Sequence, residues 1–461
     1  MNITEILDLL APLKSAIIFL VGQWLLYPIS LFLLPKLKSR QASAIFHITY
    51  GLCFSLILFK WDTLILIGSI LIGYVVIGIN PIVGSVVGFA MSSFSHILYA
   101  IRCKGWDLDI SGNLMCLFQR LMSLSFNIAD GKVLKEGKEL NRDHWKKLSI
   151  DGRPPFLFYF AYTITPYGSF GNPFIEYKVF EYLLNCGNNP PVDESDRKEA
   201  LWRYARSYIF AILNIFLMSY VSYDSYKSHF YLQFPPPIRC ILMTLFTIAQ
   251  LTRYYPGWYS IEAALIAAGL NKNGIVKPDE IQNNSFSYVI QSPTSQEWMR
   301  RWNHTTHLFW KEYLFTRMLN AKFNFQLTDM TVFTVSALWH GFRPMYYWML
   351  PETLIMMKAD KLMSKKWPIN NNASKLRKIL GNLYTLMIMT DASCTFWYST
   401  TESFFYVRNS IWWIPLVISL IFVIYLTLTA PKKSKRDQVK KEETKDEQKV
   451  NEVENTKEKK D

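Results

Sequence analysis

The sequence predicts an all-α, polytopic membrane protein: a helical bundle of about 10 to 11 spans and half-spans. Three observations carry that prediction. Half of the 461 residues are hydrophobic (50%), and they are gathered into long runs instead of being spread evenly. Roughly 20 residues of helix cross the hydrocarbon of a bilayer, and runs on that scale recur from Ser15 into the last third of the chain. The basic residues cluster beside the runs, as in Lys36, Lys38 and Arg40 or Lys432 to Arg436, where they act as orientation signals and meet anionic headgroups. The 15 Trp and 26 Tyr suit aromatic belts at the two interfaces, or the walls of an active site.

The same charge placement argues against nucleic acid as a partner, although the formal net charge is +14. Membrane lipids are the expected partners, and a phosphorylated substrate would also be drawn to such surfaces. The six cysteines are scattered, with no CxxC pair and no grouping with histidine. Neither a disulfide framework nor a metal site is expected, and no resident cofactor is implied.

Taken in order, Ser15 to Leu34 reads as the first span, ended by Pro35. The runs Ala42 to Phe59 and Thr63 to Ala90 follow, the second interrupted by Asn80-Pro81. In Ser111 to Lys132 the apolar residues Leu114, Leu117, Leu121 and Leu124 recur at helical spacing beside Gln119, Arg120 and Asn127. That pattern predicts a semi-buried helix, not a plain span. Gly131 to Arg153 and Gly187 to Arg206 are polar and read as loops.

Between those loops, Pro166, Gly168, Gly171 and Pro173 punctuate an aromatic stretch. Such a broken backbone is either an interfacial loop or, at membrane depth, a segment buried against a cavity. Ile209 to Tyr223 and Ile238 to Leu251 read as spans, separated by Pro235-Pro236-Pro237. Asn271 to Arg301 is a long polar insertion. Past it, Met345 to Met357 continues apolar with a kink or break expected at Pro351, and Ile379 to Tyr398 and Ile411 to Thr429 close the membrane body. Residues 1–430 thus form one helical body. Residues 431–461 are mostly charged and polar and cannot bury a core. Lys457 and Lys459 near the end resemble a dilysine retrieval address of the endoplasmic reticulum membrane, with the tail in the cytosol.

Two ionisable residues within apolar runs are singled out. His340 lies near the middle of Thr331 to Leu350, and Glu262 lies within Tyr255 to Leu270. A charged group at membrane depth costs roughly 2.5 kcal/mol or more, so one that is present marks a pocket or a buried pair. Glu262 is either a pocket group or the partner of a cation such as Arg253. Neutral imidazole escapes most of the charge penalty and still accepts a proton, which suits a general base; the other reading of His340 is a core histidine bonded to a neighbouring helix. Asn303, in Asn303-His304-Thr305, matches a glycosylation acceptor, although it opens an aromatic-faced helix.

The stretches SALWHGFRPMYY and RRWNHTTHLFW resemble the membrane-bound O-acyltransferase family, in its lysophospholipid acyltransferase branch. The resemblance matches His340, in a W-H-G setting, to the family's histidine, and Asn303, in a W-N setting, to its upstream Asn or Asp. LFQRLMSLSFNIADGK, GNPFIEY and WYSIEAALIAAG resemble three further branch segments in the same order. Two departures stand out: Gly171-Asn172-Pro173 has one residue inserted in a Gly-Pro pair, and Met345 replaces a glycine after Pro344.

The resemblance implies acyl transfer from acyl-CoA to the free hydroxyl of a lysophospholipid, with His340 as base and Asn303 either orienting it or stabilising the oxyanion. It also implies substrate contacts from Trp302, Trp339, Gly341, Glu262, Asn172 and Pro173, and a substrate tunnel through the body. Sterol, diacylglycerol or protein acceptors are alternatives within the family. A transporter with a midplane site is the alternative outside it, disfavoured by the lack of an inverted repeat.

Overall fold

The computed structural model describes residues 14–102, 108–270, 281–283, 285–370, 372–397 and 400–429. It is 80% helical, with no strands among the described residues. The helices that matter below are α1 (Lys14–Trp24), α2 (Arg40–Phe59), α3 (Thr63–Val76), α4 (Pro81–Arg102), α5 (Ser111–Lys135), α6 (Phe156–Ile164) and α7 (Tyr177–Leu184). They continue as α8 (Glu194–Met218), α9 (Pro236–Leu251), α10 (Tyr255–Ala267), α11 (Ser295–Arg301), α12 (His304–Trp310), α13 (Phe325–Trp339), α14 (Pro344–Lys366), α15 (Lys375–Cys394), α16 (Thr401–Ser410) and α17 (Ile414–Leu428).

Four stretches are long and apolar enough to cross a bilayer alone: Lys14–Lys36, Arg40–Val76, Pro81–Arg102 and Glu194–Lys227. The pair α16 and α17, bent by 69°, qualifies only together. The other helices are shorter or carry inward polar groups. Large apolar side chains project outward from the outer helices, among them Ile57, Val75, Val86, Ile212 and Phe216. In water such a surface would aggregate; in lipid it is the expected exterior.

The chain is a multi-pass membrane protein whose centre is α10, where every residue from Tyr255 to Ala267 is buried. A helix apolar on all sides has no solvated face to present. α8 packs along it, and Ser207 Oγ donates to the Pro256 carbonyl at 2.5 Å. α5 is the second interior helix, with Gln119, Arg120, Asn127 and Asp130 all turned inward. α4 packs on α5 through a small-residue face, Gly84, Gly88, Ser92 and Ser95. A Cβ on Gly88 would already lie 3.4 Å from the Phe118 backbone, and such faces let membrane helices approach closely.

Two sequence expectations change, and two open points are settled. The break at Asn80-Pro81 holds, but the chain stops at Val76 and restarts at Pro81, running to Arg102. The polar loop expected over 187–206 is helical from Glu194. Asp193 caps it by accepting from Asp196 N at 2.8 Å, and Glu194–Lys198 and Glu199–Arg203 pair at i,i+4. Pro351 sits inside an unbroken α14. The segment around Pro166 is not an interfacial loop: Pro166, Tyr167, Gly168, Asn172 and Pro173 are all buried. The tail beyond residue 429, with Lys457 and Lys459, lies outside the described residues.

Candidate active site

His340 is not the middle of one long helix. It is the C-cap of α13; Gly341 follows at φ 113°, and α14 restarts at Pro344. A glycine tolerates that backbone where other residues are strained, and proline is favoured in the first turn of the new helix. The imidazole is therefore presented at a break between two helices. Its ring sits among Trp339, Phe396 and Tyr346, with centroids at 4.8, 5.0 and 6.3 Å. It is half-buried, and no hydrogen bond to its nitrogens is found among the described residues.

The backbone on either side of His340 is held. Trp339 is buried, its indole N–H donates to the Met115 carbonyl of α5 at 3.1 Å, and its ring meets Trp310 edge-on at 5.7 Å. The carbonyl of Trp339 contacts Nε2 of His96, on α4, at 2.9 Å. The hydroxyl of Tyr347 donates to the Gly341 carbonyl at 3.2 Å. His96 also fills the space a side chain on Gly341 would need: a Cβ there would lie 3.1 Å from His96 Nδ1. Gly341 thus makes room for this second histidine.

Asn303 stands at a second helix break, between α11 and α12, in the left-handed region at φ 44° and ψ 52°. Asparagine adopts that region more readily than most residues. Its side chain caps nothing and is half-buried, while its carbonyl accepts from His307 N at 2.9 Å. The glycosylation reading fails on the third residue of the acceptor. Thr305 is buried, with its hydroxyl bonded to Asn283 Oδ1 and Phe174 N, each at 2.9 Å.

His340 and Asn303 are served by the same walls, though no hydrogen bond joins their side chains. Trp302, beside Asn303, packs edge-on to Tyr254 and Trp258 at 5.4 and 5.1 Å. Its cluster includes Met349 and Trp397, one turn from Tyr346 and next to Phe396, the rings that flank His340.

Glu262 belongs elsewhere. It is fully buried, forms an ion pair with Arg203, and accepts from Asn283 N at 2.7 Å. Arg253, the partner suggested by proximity in sequence, instead bonds Gln250 and lies over Trp397 at 5.7 Å. Asn283 in turn accepts from Thr305 N at 3.1 Å, and its carbonyl takes His304 N at 2.9 Å. Glu262 is therefore the root of a chain of bonds that fixes the start of α12, and so the turn that carries Asn303.

Asn172 is likewise engaged. It is buried and donates to Gln23 Oε1 and the Pro166 carbonyl, both at 2.9 Å. Pro173 is buried beside Gly168. Neither touches His340; their link to the site is Phe174, whose N–H bonds Thr305. Met345, in place of the branch's glycine, is buried against a cluster that includes Tyr226, Phe404 and Val407. A small cavity of about 30 Å³ lies beside α12, with Phe174, Glu176, Thr305 and Phe309 in its lining; His340 and Asn303 do not border it. Among the described residues the cysteines are free, and no cluster of His, Cys, Asp or Glu has the makings of a metal site.

The comparisons with known proteins identify the family. The membrane-bound O-acyltransferase family profile matches residues 87–401, which contain His96, Asn303 and His340. The chain belongs to this family. Among its similar relatives, a lysophospholipid acyltransferase of Saccharomyces cerevisiae is 27% identical over 57% of this chain and 46% of its own length. Against that relative the chain spans about half of the longer protein. Membrane-bound glycerophospholipid O-acyltransferase 2 of Rattus norvegicus is 23% identical over 70% of the chain and 67% of the relative. Lysophospholipid acyltransferase 2 of Arabidopsis thaliana is 25% identical over 90% and 94%. For this O-acyltransferase, the residues that sequence reasoning missed are His96, Asn283 and Arg203. Only His96 carried any signal, as a lone histidine at the end of an apolar run.

Proposed function

We propose that this protein is a lysophospholipid acyltransferase: it moves a fatty acyl chain from acyl-CoA to the free glycerol hydroxyl of a lysophospholipid. Family membership and the names of the relatives support the reaction class. The observation that carries the mechanism is the unbonded, half-buried imidazole of His340 at a helix break.

In this mechanism His340 removes the hydroxyl proton as the oxygen attacks the thioester carbonyl. The tetrahedral intermediate collapses by breaking the C–S bond; the CoA thiolate leaves and takes up the proton held by the imidazolium. No covalent acyl-enzyme is needed, and no metal or resident cofactor. The C-terminal end of α13 presents carbonyl dipoles that favour the positive charge the ring gains in the first half of the cycle. Asn303, free of capping duty, either orients the base or donates to the oxyanion. The aromatic box leaves the ring little water to bond with, so its lone pair is kept for substrate.

The lysolipid enters sideways from the bilayer and the CoA moiety from the cytosolic surface, meeting in a passage through the body. Residence in the endoplasmic reticulum membrane is part of the same proposal.

The test is acyl transfer from labelled acyl-CoA, in membranes expressing the chain, to a panel of lysophospholipids, diacylglycerol and cholesterol. Incorporation into at least one lysophospholipid, abolished in His340→Ala, is expected. Incorporation into diacylglycerol or cholesterol alone would replace the proposed acceptor.

A further inference from the structure

We infer that His96 is a positioning residue for His340, acting through the Trp339 carbonyl and the side-chain-free space at Gly341. The inference rests on His340 being the base. α4 reaches α13 only because its small-residue face, Gly84, Gly88, Ser92 and Ser95, lets it lie close on α5. His96 extends that face by one residue and is itself buried, at 8% exposure.

A carbonyl oxygen only accepts, so the 2.9 Å contact between His96 Nε2 and the Trp339 carbonyl requires the proton on Nε2. Nδ1 of the same ring is then the bare edge, and it is this edge that faces Gly341. One ring thus grips the residue before His340 by a hydrogen bond and the residue after it by contact. At the C-terminal turn of α13 the N–H groups of His340 and Gly341 serve the Ser336, Ala337 and Leu338 carbonyls, and the Trp339 carbonyl is left for a donor from outside the helix; His96 supplies it from another helix, 243 residues away in sequence. Without it the Trp339 carbonyl is left unpaired in an apolar setting, and the turn keeps only its own backbone bonds and those of the Trp339 indole and the Tyr347 hydroxyl, so it loosens. The imidazole then leaves its reacting position, and an ångström of such displacement is worth about a hundredfold in rate.

The test compares two amides that differ by one methylene. The Gln amide reaches the position of imidazole Nε2 and can donate to the Trp339 carbonyl; the Asn amide stops at the level of Nδ1 and cannot. Purified wild type, His96→Gln, His96→Asn and His340→Ala are compared for thermal melting, kcat, and KM for both substrates. His96→Gln is expected within about threefold of wild type. His96→Asn is expected to lose kcat by about thirtyfold or more, with KM for both substrates within about twofold and a melting point close to that of His96→Gln. Equal kcat in the two variants, high or low, overturns the role of His96. So does a loss confined to KM, or a kcat difference that simply tracks melting. An active His340→Ala would instead overturn the base assignment, so the two failures are distinguishable.

Discussion

Glu262 and His340 both interrupt apolar runs in this chain, and the structure gives them opposite surroundings. Glu262 is saturated: it has a guanidinium from Arg203 and a backbone donor from Asn283. His340 has rings around it and no hydrogen bond to its nitrogens among the described residues. A polar group buried without partners is expensive, so structures satisfy nearly all of them. What sets His340 apart is an unbonded ring at a helix break that is only half-buried, where a partner from outside can reach it. Hydrogen-bond accounting, not hydropathy, separates the paired carboxylate from the imidazole proposed as the base.

The comparison can be broken in several places, beginning with the largest effect. His340→Ala should lower acyl transfer per folded molecule by about 10²–10⁴-fold, the range expected for loss of a general base, with abundance and melting point retained. Glu262→Ala should do the reverse. Leaving the buried Arg203 with Glu199 alone costs about 3 kcal/mol of stability, the lower end for a broken buried pair, read as a lower melting point. Arg203→Ala should cost a similar amount, and the double variant well under the sum; additive losses would mean the pair is not coupled.

Asn303→Gln should lower kcat by about a hundredfold, in line with loss of a hydrogen-bond donor at a reacting centre. Wild type and variant should show no mass shift on deglycosylation, because the Thr305 hydroxyl is already bonded inside the body. A shift in the wild type that the variant loses, with activity retained, would return Asn303 to the glycosylation reading. Gly341→Ala is the mildest. It forces a Cβ onto a backbone at φ 113° and against His96, a strain of about 1–3 kcal/mol, and should slow turnover by about tenfold.

The sequence makes much of the site legible. The W-H-G and W-N settings name His340 and Asn303, and the apolar runs give the membrane class. The prolines at 81 and 166 mark real breaks. What stays hidden is pairing across distance. Arg203 lies 59 residues from Glu262 and His96 lies 243 from Trp339, and nothing in local spacing favours those partners over nearer ones such as Arg253. Local pattern also misjudged the start of α8, because helical i,i+4 charge pairs and a surface loop share one composition. The span through Thr331 to Leu350 reads as continuous for a related reason. Hydropathy does not register the positive φ at Gly341 that splits it at the histidine.

The most direct test measures His340→Ala and Glu262→Ala side by side, in one detergent preparation, for melting point and for acyl transfer per folded molecule. The account predicts that the first melts like wild type and transfers at about 1% of its rate or less. The second should melt lower, with its surviving molecules transferring within about tenfold of wild type. Wild-type transfer by folded His340→Ala, or the same loss of folding in both variants, would contradict it.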